Sequence, residues 1–317
     1  MARPATRRGI LASLAGGAAA LAGCGGVGSV VEGGGAGRSG GDTGDAAGGS
    51  RDEPVSVLGA GSLQRLLEAG LRTAVDVPVR TEAHGSVAAA RLVADGRRDP
   101  DVVALADPAL FGSVLAADWH ALFATNEVAL AYVEGTPAAA RLRAADRWFE
   151  PLVAGDVSLG RTDPALDPLG YRTLFVCRLA ERYYDRPGLA DAVLAPEQTR
   201  PETGLLAALE AGEVGAAFAY RSMAVDRGLA TVDLPAEIDL GDPAMADRYR
   251  RVSYDVPDGP TVRGAPVTYA ATLRTVTPGS RAVLDALASP ALLSAFGFAS
   301  RDDYPRYVGA VPEAVEG

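Results

Sequence analysis

Two serines hold the same place in successive strand–turn–helix patterns. Ser62 closes the Gly59-Ala60-Gly61-Ser62 turn between the apolar run Val55–Leu58 and the amphipathic run Leu63–Thr73. Ser86 closes His84-Gly85-Ser86 between Val77–Ala83 and Val87–Ala94. A helix start presents unpaired N–H groups and the positive end of a dipole, and a hydroxyl adds a donor, so such turns suit an anion. Plain N-capping uses the same residues. What favours a ligand is the repetition, because open α/β sheets bind ligands beyond the carboxyl ends of their strands. Three further segments stand out. Gly160-Arg161-Thr162-Asp163-Pro164-Ala165-Leu166-Asp167-Pro168-Leu169-Gly170-Tyr171-Arg172 carries two Asp-Pro steps and a glycine ahead of a long helix. Arg200-Pro201-Glu202-Thr203 opens the helix Gly204–Glu210, and Tyr220 ends a strand before Arg221-Ser222. Read singly, these are turn chemistry, a helix-dipole partner and a core tyrosine.

Other chemistries are excluded by what is missing. All 30 basic residues are arginine, so P-loop, Schiff-base and Ser-Lys mechanisms are absent together. Two histidines and two cysteines leave few ligands for a zinc site and no disulfide framework. No Gly-x-Ser-x-Gly elbow occurs, and Gly59-Ala60-Gly61-Ser62-Leu63-Gln64 lacks the last glycine of a dinucleotide fingerprint. Cys177 lies in an apolar helical stretch as a small buried hydrophobe, while His84 and His120 share no ligand spacing. A formal charge of −10 argues against nucleic acid. Surplus acid without lysine also fits a surface solvated at high salt and a GC-rich genome, with no partner implied.

The elements that must position these residues alternate. Beyond the two units above, Asp101–Leu105, Val128–Val133, Val157–Gly160, Val214–Tyr220 and Pro266–Leu273 read as strands. Tyr171–Tyr184, Arg281–Leu287 and Ala291–Phe296 read as helices. Alternation of this kind predicts α/β architecture with largely parallel sheets, and the length of the ordered part predicts two lobes.

The chain begins with an address. Thr6-Arg7-Arg8-Gly9-Ile10-Leu11 is a twin-arginine start, and the apolar stretch Ile10–Ala22 has 13 residues. That length spans about 20 Å as helix, too short for a bilayer core, so it reads as a secretory h-region. It ends in Leu21-Ala22-Gly23-Cys24, which resembles a lipobox with Cys24 as the lipidated residue. Loss of residues 1–23 would bring the charge to −13. The next 26 residues, 25–50, hold 12 glycines, a tether of about 28 Å end to end.

Taken together, from about Val55 onward, these segments resemble the archaeal branch of tungstate/molybdate-binding proteins, the extracytoplasmic receptors of ABC importers. The resemblance is carried by Ala60-Gly61-Ser62-Leu63, Glu82-Ala83-His84-Gly85-Ser86, Asp163–Arg172, Arg200-Pro201-Glu202-Thr203 and Phe218-Ala219-Tyr220-Arg221-Ser222. It implies a two-lobed periplasmic-binding-protein-like fold of the second topological class, with mixed sheets flanked by helices. The ligand would sit in the cleft between lobes, and two crossing strands would form the hinge. It also implies a layout: residues 1–23 as signal peptide, 24–52 as lipidated cysteine and tether. Residues 53–127 plus about 225–317 would make lobe 1, and 128–224 lobe 2. Carried over position by position, the oxyanion contacts are Gly61, Ser62, Ser86, the turn Asp167-Pro168-Leu169, Glu202 and Tyr220. Two departures from the family are visible: a shorter stretch between Tyr184 and Arg200, and Ala219 where a larger or polar residue is usual.

Two carboxylates, Asp167 and Glu202, would repel a dianion in a water-excluded site. The conflict eases if their oxygens bind the metal centre directly. Mo(VI) and W(VI) are hard and can expand from four oxygens to six, as the resemblance implies, whereas sulfur and phosphorus cannot. Asp163 competes with Asp167 for that role. The expectation is a monomeric, lipid-anchored receptor that holds tungstate or molybdate as ligand, needs no cofactor, performs no catalysis and delivers to a membrane permease. A sulfate or phosphate receptor on the same fold is the alternative, followed by an exported enzyme or adhesion module.

Overall fold

The computed structural model describes residues 53–195 and 199–316, so the twin-arginine leader, Cys24 and the tether lie outside the described residues. Twelve strands occur among the described residues. In chain order they are β1 Val55–Ala60, β2 Val79–His84, β3 Val102–Leu105, β4 Trp119–Asn126, β5 Val128–Tyr132 and β6 Leu159–Gly160. There follow β7 Ala216–Tyr220, β8 Ala230–Val232, β9 Ser253–Asp255, β10 Thr261–Arg263, β11 Val267–Leu273 and β12 Arg306–Gly309. They form a six-stranded sheet ordered β12-β4-β11-β3-β1-β2, a four-stranded sheet ordered β6-β7-β5-β8, and the hairpin β9/β10. Each larger sheet is flanked by helices and anchors one lobe, giving the expected two-lobed α/β fold.

The sheets are mixed, which corrects the expectation of largely parallel pairing. Among the described strands only β1–β2, β1–β3 and β6–β7 pair in parallel, as βα units demand. The rest is antiparallel because β4 and β11 run side by side in opposite directions as the chain leaves one lobe and returns. Glu127 alone separates β4 in the large sheet from β5 in the small one. The pairing of β4 with β11 slips at Tyr269/Ala270, a bulge of the kind that re-aims side chains.

Strands β3, β5 and β7 are buried along their whole length, as their unbroken apolar sequences require. Four helices reach the cleft. Leu63–Thr73 becomes helical from Gly61 to Ala74, opening as a 3-10 turn over Gly61–Leu63. The others are Ser86–Ala94, Pro168–Tyr183 and Glu202–Glu210. The third starts three residues before the expected Tyr171, because Asp167 caps it and Pro168 sets the first helical φ. Gly170 is obligatory there: a Cβ would lie 2.5 Å from the Asp163 carbonyl carbon and from the Pro164 nitrogen. The 162–167 loop can fold over this helix start only because that Cβ is absent.

Candidate functional site

Asp167 and Glu202, from different helices of the small-sheet lobe, meet the two serine turns of the large-sheet lobe. Gly61 lies so close to Glu202 that a Cβ there would be 2.7 Å from Oε2. Gly85 meets the opposite wall, where a Cβ would be 2.6 Å from the Leu166 carbonyl oxygen and 2.9 Å from Asp167 Cβ. The Ala88 N–H, in the first turn of the Ser86 helix, donates to that same carbonyl at 3.1 Å. The expected contacts Gly61, Ser62, Ser86, Asp167, Pro168, Leu169, Glu202 and Tyr220 are all buried in their elements.

The carboxylates are the unusual members. Asp167 is 2 % exposed and Glu202 3 %. Asp167 Oδ1 accepts from the Leu169 N–H at 3.2 Å, while Oδ2 and both Glu202 oxygens have no hydrogen-bond partner. Burial pushes the Asp167 carboxyl up to about 6, against the pull of the nearby Thr162 hydroxyl, the Leu169 N–H and Arg172. Burial and then the charge of Asp167 drive the Glu202 carboxyl well above its ordinary range, with the Ser62 hydroxyl and the Gly61 and Ser62 N–H groups opposing. Asp163 Oδ1 caps the turn by accepting from the Ala165 N–H at 2.8 Å.

The serines play unequal parts. Ser62 Oγ accepts from Tyr269 Oη at 3.1 Å, so its own proton is available to the cleft. Ser86 Oγ accepts from the Ala106 N–H at 3.0 Å and ties its turn to the end of β3. Tyr220 is fully buried, and its Oη accepts from Arg172 Nη1 at 2.6 Å. That bond fixes the lone pair and leaves the Tyr220 hydroxyl proton to point elsewhere. Burial raises the Tyr220 pKa, so the hydroxyl stays a donor.

Sequence reasoning missed four supporting residues. Arg172, 4 % exposed, is the cation that compensates the cleft, and its Nη2 lies 3.7 Å from Asp107 Oδ2. Burial disfavours that charge, but Tyr220 and Asp107 more than offset the cost. Tyr171 Oη donates to the same Asp107 oxygen at 2.6 Å. Asp107 was legible in principle, since Asp107-Pro108 follows β3 as a third strand–turn–helix unit. Tyr269 and Thr162 carry no comparable mark. His84 pairs with Glu82 at 2.7 Å, His120 stacks on Phe111, and Cys177 is buried with its thiol pushed up to about 12. Among the described residues no three His, Cys, Asp or Glu side chains converge on a point, so the cleft is not a resident-cation cage. It pairs hydroxyl and N–H donors with carboxylate oxygens that lack partners.

A closed polar cleft between two α/β lobes is a place to enclose a small ligand. The chain belongs to the bacterial extracellular solute-binding protein family, whose model matches residues 57–297. It is a binding protein and not an enzyme. A Haloferax volcanii protein provisionally named as an ABC transporter molybdenum-binding protein is 49% identical over 266 residues, 83% of this chain and 87% of its own. The molybdate/tungstate-binding protein WtpA of Pyrococcus abyssi is 34% identical over 278 residues, 77% of this chain and 80% of its own. Among solved structures, the periplasmic molybdate-binding protein of Azotobacter vinelandii shares the fold with a TM-score of 0.52 at 14% identity, over 78% of this chain and all of its own. The sulfate-binding protein SubI of Mycobacterium tuberculosis gives 0.52 at 12% identity, over 83% and 89%. No described helix is long and apolar enough to cross a membrane.

Proposed function

We propose that this receptor captures molybdate or tungstate between its lobes and presents it to an ABC permease. The single observation that carries the reading is the buried pair Asp167 and Glu202, with three carboxylate oxygens lacking any partner. Buried oxygens without donors are costly, and a tetrahedral oxyanion brings only more acceptors. An expandable metal centre is different, because it accepts electron pairs from both carboxylates and so satisfies what the protein leaves open. Gly61, Ser62, Ser86 and the Asp167-Pro168-Leu169 turn would face the anion's oxygens. Tyr220, holding its proton outward, would complete the shell. The names of the relatives point to the same ligands.

Sulfate and phosphate have no expandable centre, so ionised Asp167 and Glu202 would repel sulfate, and phosphate would be tolerated only through a shared proton. Titration calorimetry of residues 51–317 in high-salt buffer tests this directly. Tight binding of tungstate and molybdate, with no heat from sulfate or phosphate, is expected. Sulfate or phosphate binding in their place would overturn the carboxylate-to-metal reading and leave the fold intact. Twin-arginine export, a lipid on Cys24, a monomeric state and a salt-adapted surface belong to the same proposal. Cys24→Ser is expected to shift the protein from the membrane fraction to the medium, and an unchanged distribution would remove the anchor.

A further inference from the structure

A cavity of about 590 Å³ lies next to the inner site. Four arginines line it: Arg172, Arg263, Arg301 and Arg306, against two acids, Asp107 and Asp303. Both acids are already engaged. Asp107 accepts from Tyr171 and faces Arg172, and Asp303 pairs with Arg301 at 3.2 Å. The guanidinium groups of Arg263 on β10 and Arg306 on β12 have no carboxylate within ion-pair distance among the described residues. Two uncompensated cations thus share one concavity in a chain of net charge −10. A cleft with low-dielectric walls focuses such a field, while the repulsion from the distant surface is screened.

The floor of this cavity is also the back of the inner site. Arg172 lines the cavity and donates to Tyr220 Oη at 2.6 Å, so one guanidinium faces both compartments. A volume of 590 Å³ equals the liquid share of roughly twenty waters, enough for a hydrated dianion. A dianion arriving from bulk must otherwise approach two buried carboxylates with Arg172 as the nearby counter-charge.

We propose that this cavity is a reception site for small doubly charged oxyanions, held through Arg263 and Arg306 before transfer past Arg172 to the inner site. The proposal rests on the oxyanion reading of that inner site. The outer chamber offers guanidinium groups, and its two carboxylates are already engaged, so it does not distinguish tungstate from sulfate. Selection happens within, at Asp167 and Glu202.

Two measurements on residues 50–317, which form a compact unit of their own, test this. First, sulfate is titrated while the arginine side-chain Nε–Hε resonances are followed by NMR. The Arg263 and Arg306 signals should shift saturably at millimolar sulfate, and equally so in Glu202→Gln. Second, tungstate association is followed by stopped-flow tryptophan fluorescence in wild type and in Arg263→Gln/Arg306→Gln. The association rate should fall about 10-fold at low salt with a shallower salt dependence, while dissociation stays within about twofold. Arginine signals unmoved by sulfate, or an association rate unchanged in the double variant, overturn the reception site. Sulfate shifts at Arg263 and Arg306 without any tungstate binding would uphold it and discard the inner-site reading instead.

Discussion

At the scale of the residue, the proposed function rests on Asp167 and Glu202, buried carboxyls whose three oxygens have no hydrogen-bond partner. Both are held above the ordinary carboxylate range by burial, Asp167 at about 6 and Glu202 well above its usual value. A carboxyl whose folded pKa is raised binds more protons folded than unfolded, so the ligand-free protein loses stability as pH rises from about 4 through the folded value. For Asp167 the window is about 4 to 6, and Glu202 extends it upward. A tenfold change in proton affinity corresponds to about 1.4 kcal/mol, so at pH 8 the pair disfavours the closed, ligand-free form by up to a few kcal/mol. Glu202→Gln is therefore expected to shift the ligand-free lobes towards closure at pH 8, read as a smaller radius of gyration, and to flatten the pH dependence of that closure between pH 5 and 8. The same variant should weaken tungstate binding by at least about 100-fold, the scale of a lost metal ligand. A radius of gyration that responds to pH identically in wild type and variant would show that Glu202 carries no cost of closure. X-ray absorption at the tungsten edge gives the complementary readout. Six-coordinate tungsten with two longer W–O distances is expected in wild type, and four equal distances would remove both carboxylates from the metal.

At the scale of the element, two glycines make opposite predictions because they face different neighbours. Gly170 is pressed against the 162–167 loop of its own lobe, so Gly170→Ala must distort Asp163-Pro164 and lower stability with or without ligand. Gly85 is pressed against Leu166 and Asp167 of the other lobe. Gly85→Ala should leave the ligand-free melting temperature within about 2 °C of wild type yet weaken binding strongly, because its Cβ collides only when the lobes meet. Comparable losses of free-state stability in both variants would contradict that distinction.

The same elements show why part of the molecule was legible. The serine turns, the Asp167-capped helix and the strands β1, β3, β5, β7 and β11 follow from local apolar runs and turn residues that mean the same thing in any context. β4, β8, β12 and the β9/β10 hairpin are not legible that way. Trp119–Asn126 interleaves His120, Thr125 and Asn126 with apolar residues, and Arg306–Gly309 is a largely exposed edge with no alternation, so only pairing defines them. Glu202 at a helix start looks like an exposed dipole partner, and nothing local announces its burial. Arg172 and Tyr269 acquire their roles from residues 65 and 207 positions away, Asp107 and Ser62.

At the scale of the molecule, the lobes are closed, and what closes them is mostly polar. Ala88 N–H to the Leu166 carbonyl, Arg91 to the carbonyls of Ala165 and Pro257, Arg65 to Asp226 and Asp107 to Arg172 all join the large-sheet lobe to parts of the chain beyond it. Exposed pairs such as Arg65–Asp226 contribute little, and Leu166, the apolar side chain at the seam, remains 46 % exposed. Against these contacts stand two buried carboxyls brought together without partners, a cost that exists only while the lobes are shut. On the proposed reading this cost favours opening in the absence of ligand, and Glu127 lies in the short link between the two sheets. Moving such an equilibrium from mostly open to mostly closed takes about 5.5 kcal/mol of preferential binding to the closed form, well within the reach of a metal centre ligated by two carboxylates. Small-angle scattering should therefore give a radius of gyration for ligand-free residues 50–317 measurably above the compact value of about 18 Å expected for this length, and tungstate should restore it. Asp167→Asn/Glu202→Gln should scatter as a closed particle without any ligand, because it removes the cost of closure along with the reason to bind. Identical curves for wild type with and without tungstate would mean that the lobes do not move and that the anion reaches its site by another route.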